Sequence, residues 1–353
     1  MPNNITRLIL LLVSLFSLCA ILTYKLLGMK AFFVSVFFVV IYAFFSKNIL
    51  MYTTESCVEH IHGKKIFQLE FPFFYNIFNP SIVKIPSGYL CCIRCSTLTQ
   101  KNILYYLYGH FFYDSFILFV EIDNCGNYKI IYPEHTKLKG HLEDPRIIKY
   151  EDKYILSTSE YISGENNFPV LLTYDKNYNF TKRIDYNRSD YFGKDKMIGI
   201  QKNWCLFEHE GDVYVHTDVY PKWKIFRLDI ETGNMIKIVD TEYSFPIKYY
   251  LRCSTSWKIY NENYYICGIH TKTKEKMPTI RSILVLIDRK TLTPAFRTNL
   301  LCLEPNVHNR TQFLCGLETD EFYIILSYGL NDSEIALKKI AKYRLKFIPY
   351  NFS

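Results

Sequence analysis

The sequence predicts an all-β fold, a five-bladed β-propeller preceded by an N-terminal transmembrane segment. Three observations support this prediction: an aromatic-rich composition, a pattern that recurs five times in the body of the chain, and an apolar run near its start. The 353 residues include 30 Tyr and 27 Phe but only 14 Gly, and aromatic side chains favour β-strands. A hydrophobic share of 49% and a charged share of 22% exclude a disordered protein and leave enough apolar material for a large core.

Each copy of the recurring pattern contains a polar motif, an apolar strand, a short turn and a Tyr- or Phe-rich strand. The copies begin at Asn79, Asp144, Asn203, Ser254 and Gln312, with spacings of 65, 59, 51 and 58 residues. This length fits one four-stranded blade, and repeats built only of strands are typical of a propeller. Five copies therefore predict five blades, and the alternative is a β-sandwich in which the similarity is accidental.

Two apolar runs, residues 8–24 and 31–45, are separated by a short segment that contains Lys25 and Lys30. A spanning helix needs about 20 apolar residues, with a lower limit of about 17. The first run reaches that limit, and no small-residue cleavage site follows it. An uncleaved anchor with one or two transmembrane helices is therefore favoured over a cleaved signal peptide.

We predict a membrane anchor at residues 1–53, inserted through residues 8–52, and a five-bladed propeller catalytic domain at residues 54–353. If the two lysines between the apolar runs are cytoplasmic, the positive-inside rule places the propeller in the lumen of the endoplasmic reticulum or Golgi. A two-pass hairpin with a cytoplasmic N-terminus would instead leave the propeller in the cytosol. Five glycosylation sequons fit a lumenal domain. They begin at Asn179, Asn187, Asn309, Asn331 and Asn351.

The eleven cysteines form no zinc-binding pattern. Cys92 and Cys95 make one C-x-x-C inside a predicted strand, but no second pair follows at ligand spacing. Buried thiols, or one or two disulfides, are predicted instead. The body also lacks the acidic D-x-D pair of metal-dependent nucleotide-sugar transferases, so we predict neither a metal nor another cofactor. The net charge of +8 comes from scattered Lys and Arg, and no tract is typical of nucleic-acid binding.

The polar motifs of the five copies are predicted to line one axial pocket, because equivalent ends of propeller blades face the central channel. A cluster of carboxylates among cations suits a site that handles a sugar and a phosphate. The predicted members are Asn79, Asp144, Arg146, Lys202, Asn203, Arg252, His270 and Asp332.

Several of these motifs resemble those of a known enzyme family. Residues 141–147, H-L-E-D-P-R-I, resemble the E-D-P-R signature of the five-bladed mannoside phosphorylases and hydrolases of glycoside hydrolase family 130. The K-N-W run from Lys202 resembles a motif of the related β-1,2-mannosyltransferases of yeasts and trypanosomatids. The R-C-S-T run from Arg252 with the distal His270, and Y-G-x-x-D from Tyr328, resemble two further family motifs.

The resemblance covers roughly residues 75–340 and implies an inverting enzyme in which Asp144 transfers the proton, as acid in cleavage and as base in synthesis. Cys253 and Ser254 replace glycines of the family, which allows for altered acceptor choice or lost activity. The implied phosphate ligands are Arg146, Lys202, Arg252 and His270. The implied ligands of the sugar hydroxyls are Asn79, Arg94, Glu143, Asn203 and Asp332.

Each of these residues also has a purely structural explanation. Asp144 precedes Pro145 and could cap a turn, and the cations could form ordinary ion pairs. Trp204 and Trp257 could pack between blades instead of stacking on sugars.

The predicted function is that of an inverting β-mannosyltransferase. It would add mannose from GDP-mannose or mannose-1-phosphate to a mannose-containing oligosaccharide or glycolipid, and the predicted membrane anchor favours this biosynthetic role. The first alternative is a mannoside phosphorylase or hydrolase that works in the degradative direction. The second is an inactive propeller that only binds glycans or another protein.

Overall fold

The computed structural model describes most of the chain from residue 58 onward, within a compact unit of residues 57–353. The described residues are 58–60, 63–70, 76–96, 115–133, 141–161, 168–187, 202–243, 249–273, 280–304, 311–330 and 334–350. The predicted membrane anchor, residues 1–53, lies outside them. Within these ranges, no helix is long and apolar enough to cross a bilayer.

The described residues form 24 strands and one 3-10 turn at Lys342–Arg344. The first two strands are β1 (Val58–His60) and β2 (Lys64–Glu70). Then follow β3 (Asn76–Ile85), β4 (Gly88–Ser96), β5 (Ser115–Asp123), β6 (Tyr128–Ile131), β7 (His141–Tyr150), β8 (Lys153–Tyr161), β9 (Phe168–Tyr174) and β10 (Phe180–Asp185). The next strands are β11 (Cys205–His209), β12 (Asp212–Asp218), β13 (Lys222–Leu228), β14 (Met235–Glu242), β15 (Tyr249–Cys253), β16 (Lys258–Ile259), β17 (Tyr264–Thr273) and β18 (Ile280–Asp288). The last are β19 (Pro294–Arg297), β20 (Leu300–Cys302), β21 (Gln312–Thr319), β22 (Tyr323–Leu330), β23 (Glu334–Ala341) and β24 (Ile348–Pro349).

These strands form five sheets, four of which have four strands each. Sheet I contains β3 to β6, sheet II β7 to β10 and sheet III β11 to β14, in chain order. Sheet IV has eight strands, with β15, β17 and β18 beside β20 and β1, and with β16, β19 and β24 as additional members. Sheet V has the order β2-β23-β22-β21. The fold is therefore all-β and propeller-like, as predicted.

Each of the five sequence repeats begins in or next to a strand of a different sheet. Asn79 lies in β3, Asp144 in β7 and Gln312 in β21, while Asn203 closely precedes β11 and Ser254 follows β15. In each repeat the predicted turn joins two antiparallel strands, as between β3 and β4 and between β11 and β12. These hairpins confirm the repeat prediction. It succeeded because alternating apolar residues and turn residues are local signals of hairpins.

Five hydrophobic clusters lie between successive sheets and connect them in a closed order. Each cluster takes side chains from one sheet and the next, and the fifth joins sheet V back to sheet I. Representative pairs are Ile117 with Ile147, Ile155 with Trp204, Phe207 with Trp257, Leu284 with Leu326, and Ile325 with Ile77. The first strands are covered on both sides, which explains why β3 is buried along most of its length.

Sheet V joins the two ends of the described chain. Its outer strand is β2, which pairs antiparallel with β23. Leu69 lies opposite Ile335 in this register, and both side chains are buried in the cluster between sheets V and I. The N-terminal strand therefore completes the sheet that the C-terminal strands begin.

A backbone irregularity recurs where the first strands carry their polar motifs. Asn79, Asp144 and Asn203 have φ values of 53°, 52° and 67°, in the left-handed region that Asn and Asp adopt more readily than most residues. At the first two positions the strand register shifts, as at a β-bulge, which redirects side chains away from the regular alternation of a strand. The residues after them, Pro80 and Pro145, have no backbone N–H to place in the interrupted ladder.

The structural explanation is the right one for two aromatic candidates. Trp204 is 1% exposed and packs edge-on against Tyr186. Trp257 is stacked on Phe207, with ring centroids 3.9 Å apart.

The nine described cysteines are all free, and only Cys125 is exposed. Buried thiols are thus confirmed within the described residues, where no disulfide is found.

Gly316→Ala is expected to lower the free energy of unfolding by about 1–3 kcal/mol, the range for overpacking a filled core. A Cβ at Gly316 in β21 would lie 2.3 Å from Ser327 Oγ and 2.6 Å from the backbone nitrogen of Ile82 in sheet I. Gly211→Ala is the control, because its Cβ would meet no atom within 4 Å and only its φ of +85° is unfavourable. Urea unfolding of both variants checks this, and a smaller loss for Gly316→Ala than for Gly211→Ala would contradict it.

Candidate active site

Asp144 lies at the centre of the candidate site and is 5% exposed. Asn79 donates a hydrogen bond from Nδ2 to Asp144 Oδ1, and Arg94 Nη1 donates to the same oxygen at 3.2 Å. Lys202 Nζ lies 3.6 Å from Asp144 Oδ2. The carboxylate of sheet II is thus surrounded by partners from sheet I and from the segment that leads into sheet III.

The surroundings of Asp144 favour its ionised form. Burial by itself would raise the pKa of the carboxyl, because a buried charge loses hydration. The positive charges of Lys202, Arg94 and Arg146, together with the hydrogen bond from Asn79, outweigh burial and hold the pKa well below its usual range. Asp144 is therefore a carboxylate at neutral pH when no ligand is bound.

Arg94 connects the two carboxylates of the E-D-P-R motif. Its Nη2 lies 2.6 Å from Glu143 Oε1, while Nη1 binds Asp144. Its Nε donates to Ser115 Oγ at 3.0 Å, and its guanidinium lies 4.6 Å from the centre of the Phe78 ring. Arg94 and Glu143, predicted as ligands of sugar hydroxyls, form an ion pair beside Asp144 and so also set the electrostatics of the site.

Arg146 is a fully buried cation of the candidate site. It has no exposed surface, and its Nη1 and Nη2 donate to Pro145 O at 2.8 Å and to Asn203 Oδ1 at 3.0 Å. Arg146 therefore holds the side chain of Asn203 and acts on Asp144 through its positive charge. The role of Arg146 as a phosphate ligand stays a prediction.

His270 is buried and is neutral when no ligand is bound, and its role in phosphate binding stays a prediction. Burial, and then the charges of Arg146 and Arg252, lower the pKa of His270 to about 3. Its Nδ1 lies 2.8 Å from Ser254 Oγ, and its ring meets the edge of Phe313 with centroids 4.5 Å apart. His270 can therefore offer a hydrogen bond to an anion but adds no positive charge.

The structure brings most of the predicted site residues together. Arg252 in β15 lies opposite His270 in β17, and Lys202 directly precedes Asn203 at the start of sheet III. Asp332 lies outside the described residues, so its role stays a prediction. Within the described ranges, no group of three or more His, Cys, Asp or Glu side chains is arranged to hold a metal ion.

Three contributors to the site escaped the sequence argument. Phe313 could have been predicted from its place in the repeat. It is the second residue of the fifth repeat, the position that proline occupies in the first two repeats. Ser115 and Phe78 had none, since neither belongs to a recognisable motif. Ser115 nevertheless orients Arg94, because its hydroxyl accepts a hydrogen bond from Arg94 Nε and donates one to Leu142 O at 2.7 Å.

Comparison with solved structures identifies the fold. A β-1,2-mannobiose phosphorylase from Listeria innocua aligns over 76% of this chain and 91% of its own, with 14% identity and a TM-score of 0.55. A mannose phosphorylase from Leishmania mexicana, solved with phosphate, aligns over 83% and 94%, with 12% identity and a TM-score of 0.55. A structure from the GH130 family of mannoside phosphorylases, described with glycoside hydrolases that target β-1,2-mannosidic linkages in Candida mannan, aligns over 76% and 85%, with 14% identity and a TM-score of 0.55.

The chain has the fold of the GH130 mannoside phosphorylases. No protein-family model matches the sequence, and no curated protein matches it. At identities of 12–14% the likeness concerns the fold. It agrees with the resemblance that the E-D-P-R, K-N-W and R-C-S-T motifs indicated.

Between about pH 6 and about pH 3, the free energy of unfolding is expected to fall less in Asp144→Asn than in wild type. The carboxyl has a lower pKa in the folded protein than the 3.8 of an ordinary Asp. Its ion pairs therefore stabilise the fold fully above that value, and this contribution disappears as the pH falls through the folded pKa. Urea unfolding should show that wild type loses about 1 kcal/mol more than the variant over this interval. Equal losses would contradict the ion-pair network.

Proposed function

We propose that this protein is an inverting β-mannoside phosphorylase. Phosphate attacks the anomeric carbon of a terminal β-mannosyl residue from the face opposite the glycosidic oxygen, and the bond between that carbon and oxygen breaks. Asp144, once protonated, gives its proton to the departing oxygen, so the products are α-mannose-1-phosphate and a shortened glycan. The observation that carries the proposal is a buried carboxylate, Asp144, held among Arg94, Lys202 and the buried charge of Arg146.

The charges around the site support phosphate over water as the second substrate. An inverting hydrolase needs a second carboxylate to activate water, and Glu143 is paired with Arg94 at 2.6 Å. Lys202 and Arg252 add positive charge, which would attract a dianion and offset its charge during transfer. A hydrolase is the second candidate, because glycoside hydrolases are among the structural neighbours.

The ionised state of Asp144 fits the reverse reaction directly. In synthesis from mannose-1-phosphate, the carboxylate takes the proton of the acceptor hydroxyl. In phosphorolysis Asp144 must first gain a proton. Phosphate binding to Lys202 would draw that cation away from Asp144 and so raise the pKa of the carboxyl. The enzyme would therefore accept mannose-1-phosphate as donor, whereas GDP-mannose finds no support among the neighbours.

Sheet IV would be the fifth blade, enlarged by β1, β16, β19 and β24. Asp332 would bind a sugar hydroxyl, and residues 8–52 would attach the propeller to a membrane of the secretory pathway. An oligosaccharide with terminal β-linked mannose is the proposed substrate class.

Asp144→Asn is expected to lower phosphate-dependent release of mannose-1-phosphate from β-1,2-mannobiose by about 10²- to 10⁴-fold, the usual contribution of a general acid. Asp152→Asn is the matched control, because Asp152 is an exposed carboxylate in the turn at the other end of β7. The assay uses the full chain with and without phosphate. Mannose released equally well without phosphate would establish a hydrolase. Glycan binding without any turnover would establish a binding propeller.

Lys202→Met is expected to raise the KM for phosphate by about tenfold, which corresponds to roughly 1.4 kcal/mol of lost charge-assisted binding. Lys149→Met is the control, since Lys149 is exposed on β7. Initial rates at varied phosphate and fixed mannobiose give both constants, and Lys202→Arg should restore most of the affinity. An unchanged KM for phosphate in Lys202→Met would exclude Lys202 as a phosphate ligand.

A further inference from the structure

A second concave surface lies far from Asp144, between sheets V and I. It is an open groove of about 1070 Å³ whose walls include β2, the end of β23 and the turn after β5. Tyr89 in this groove stands at the start of β4, while Arg94 of the candidate active site stands five residues further along the same strand. Five residues of strand span about 16 Å, so the groove and the active site occupy opposite ends of the strands.

The groove carries an excess of positive charge. Its cations are Lys64, Lys65, Lys338, Lys339 and Arg344, and its carboxylates are Asp123 and Glu304. Glu304 forms ion pairs with two of these lysines, because its Oε1 lies 3.1 Å from Lys65 Nζ and 3.8 Å from Lys338 Nζ. Asp123 accepts hydrogen bonds from backbone and side-chain nitrogens of its own turn.

Three of the groove cations have no carboxylate partner within the part of the chain that the structure describes. Lys64 forms no ion pair there, Lys339 Nζ lies 4.1 Å from the centre of the Tyr323 ring, and the Arg344 guanidinium lies over Tyr343. Their charges are thus available to an anionic partner. An open groove suits an extended charged surface better than a small enclosed ligand.

Three exposed aromatic rings lie in or beside the walls of the groove. Tyr343 is 82% exposed, Phe322 64% and Tyr128 51%. Phe322 lies beside the 3-10 turn Lys342–Arg344, because Lys342 N donates to its carbonyl oxygen at 2.8 Å. Tyr128 packs edge-on against Phe67 in the groove wall. Aromatic rings beside Lys and Arg are the composition of surfaces that lie in the headgroup region of a bilayer.

We propose that this groove docks the propeller onto the surface of an anionic lipid bilayer. Lys64, Lys339 and Arg344 contact lipid phosphates and carboxylates, while Tyr343 and Phe322 enter the headgroup layer. The sequence supports this occupant over a soluble anion, since the second apolar run ends at residue 45 and the first residue of the groove, Gly63, comes only 18 residues later. This docking would direct the end of the strands that carries Asp144 away from the lipid, towards acceptors in the aqueous phase.

The test uses the full chain, reconstituted in vesicles of phosphatidylcholine alone or of phosphatidylcholine with phosphatidylserine. Cys125 is an exposed thiol in the groove wall, and its reaction with a polar maleimide is followed by mass spectrometry of the peptide that contains it. We expect anionic vesicles to slow this labelling about fivefold or more relative to neutral vesicles, and high salt to restore it.

Lys64→Gln, Lys339→Gln and Arg344→Gln, combined in one variant, should remove the protection by anionic lipid. The matched control combines Lys149→Gln, Lys176→Gln and Lys237→Gln, three exposed lysines of sheets II and III, and should keep it. Equal labelling in the two kinds of vesicle, or equal loss of protection in both variants, would overturn the proposal. Protection by inorganic phosphate with neutral vesicles would also overturn it, because the groove would then be a soluble-anion site.

Discussion

The candidate active site depends on a backbone constraint that recurs in three sheets. Asn79, Asp144 and Asn203 all have left-handed backbones where the first strand of their sheet carries its polar motif. This conformation costs roughly 1–2 kcal/mol for an L-amino acid. Here it is offset by hydrogen bonds between Asn79 and Asp144 and between Arg146 and Asn203. The side chains are thus held in place before any substrate arrives, which is what electrostatic catalysis requires.

The order of the strands and the identity of the central carboxylate could be predicted from sequence. Hairpins are specified by local alternation and turn residues, so the five repeats located one hairpin in each of the five sheets. The polar residue that opens each repeat then had to lie at equivalent strand ends. That argument placed Asn79 beside Asp144, and it also placed Lys202 there because this residue directly precedes the third repeat. Both residues are more than 50 positions from Asp144 in the chain.

The protonation and depth of individual side chains could not be predicted in this way. The neutrality of His270 follows from burial combined with the charges of Arg146 and Arg252, a property of three strands acting together. The burial of Arg146 depends on Phe313 and Asn203, which approach it from sheets V and III. Likewise, the ion pair between Arg94 and Glu143 depends on how two sheets pack, and no motif records this.

The pairing of β2 with β23 has a consequence for how the chain folds during synthesis. The side chains of Gln68 and Glu334 hydrogen-bond across this pair at 2.8 Å, although 266 positions separate them. A chain that emerges from the ribosome N-terminus first therefore carries β2 without its neighbour until nearly all other strands have been made. Unpaired strand edges promote aggregation, and Lys64 and Lys65 on β2 are the kind of residue that opposes it. Sheet V can be completed only after translation of β23, so its assembly is a late and non-local event.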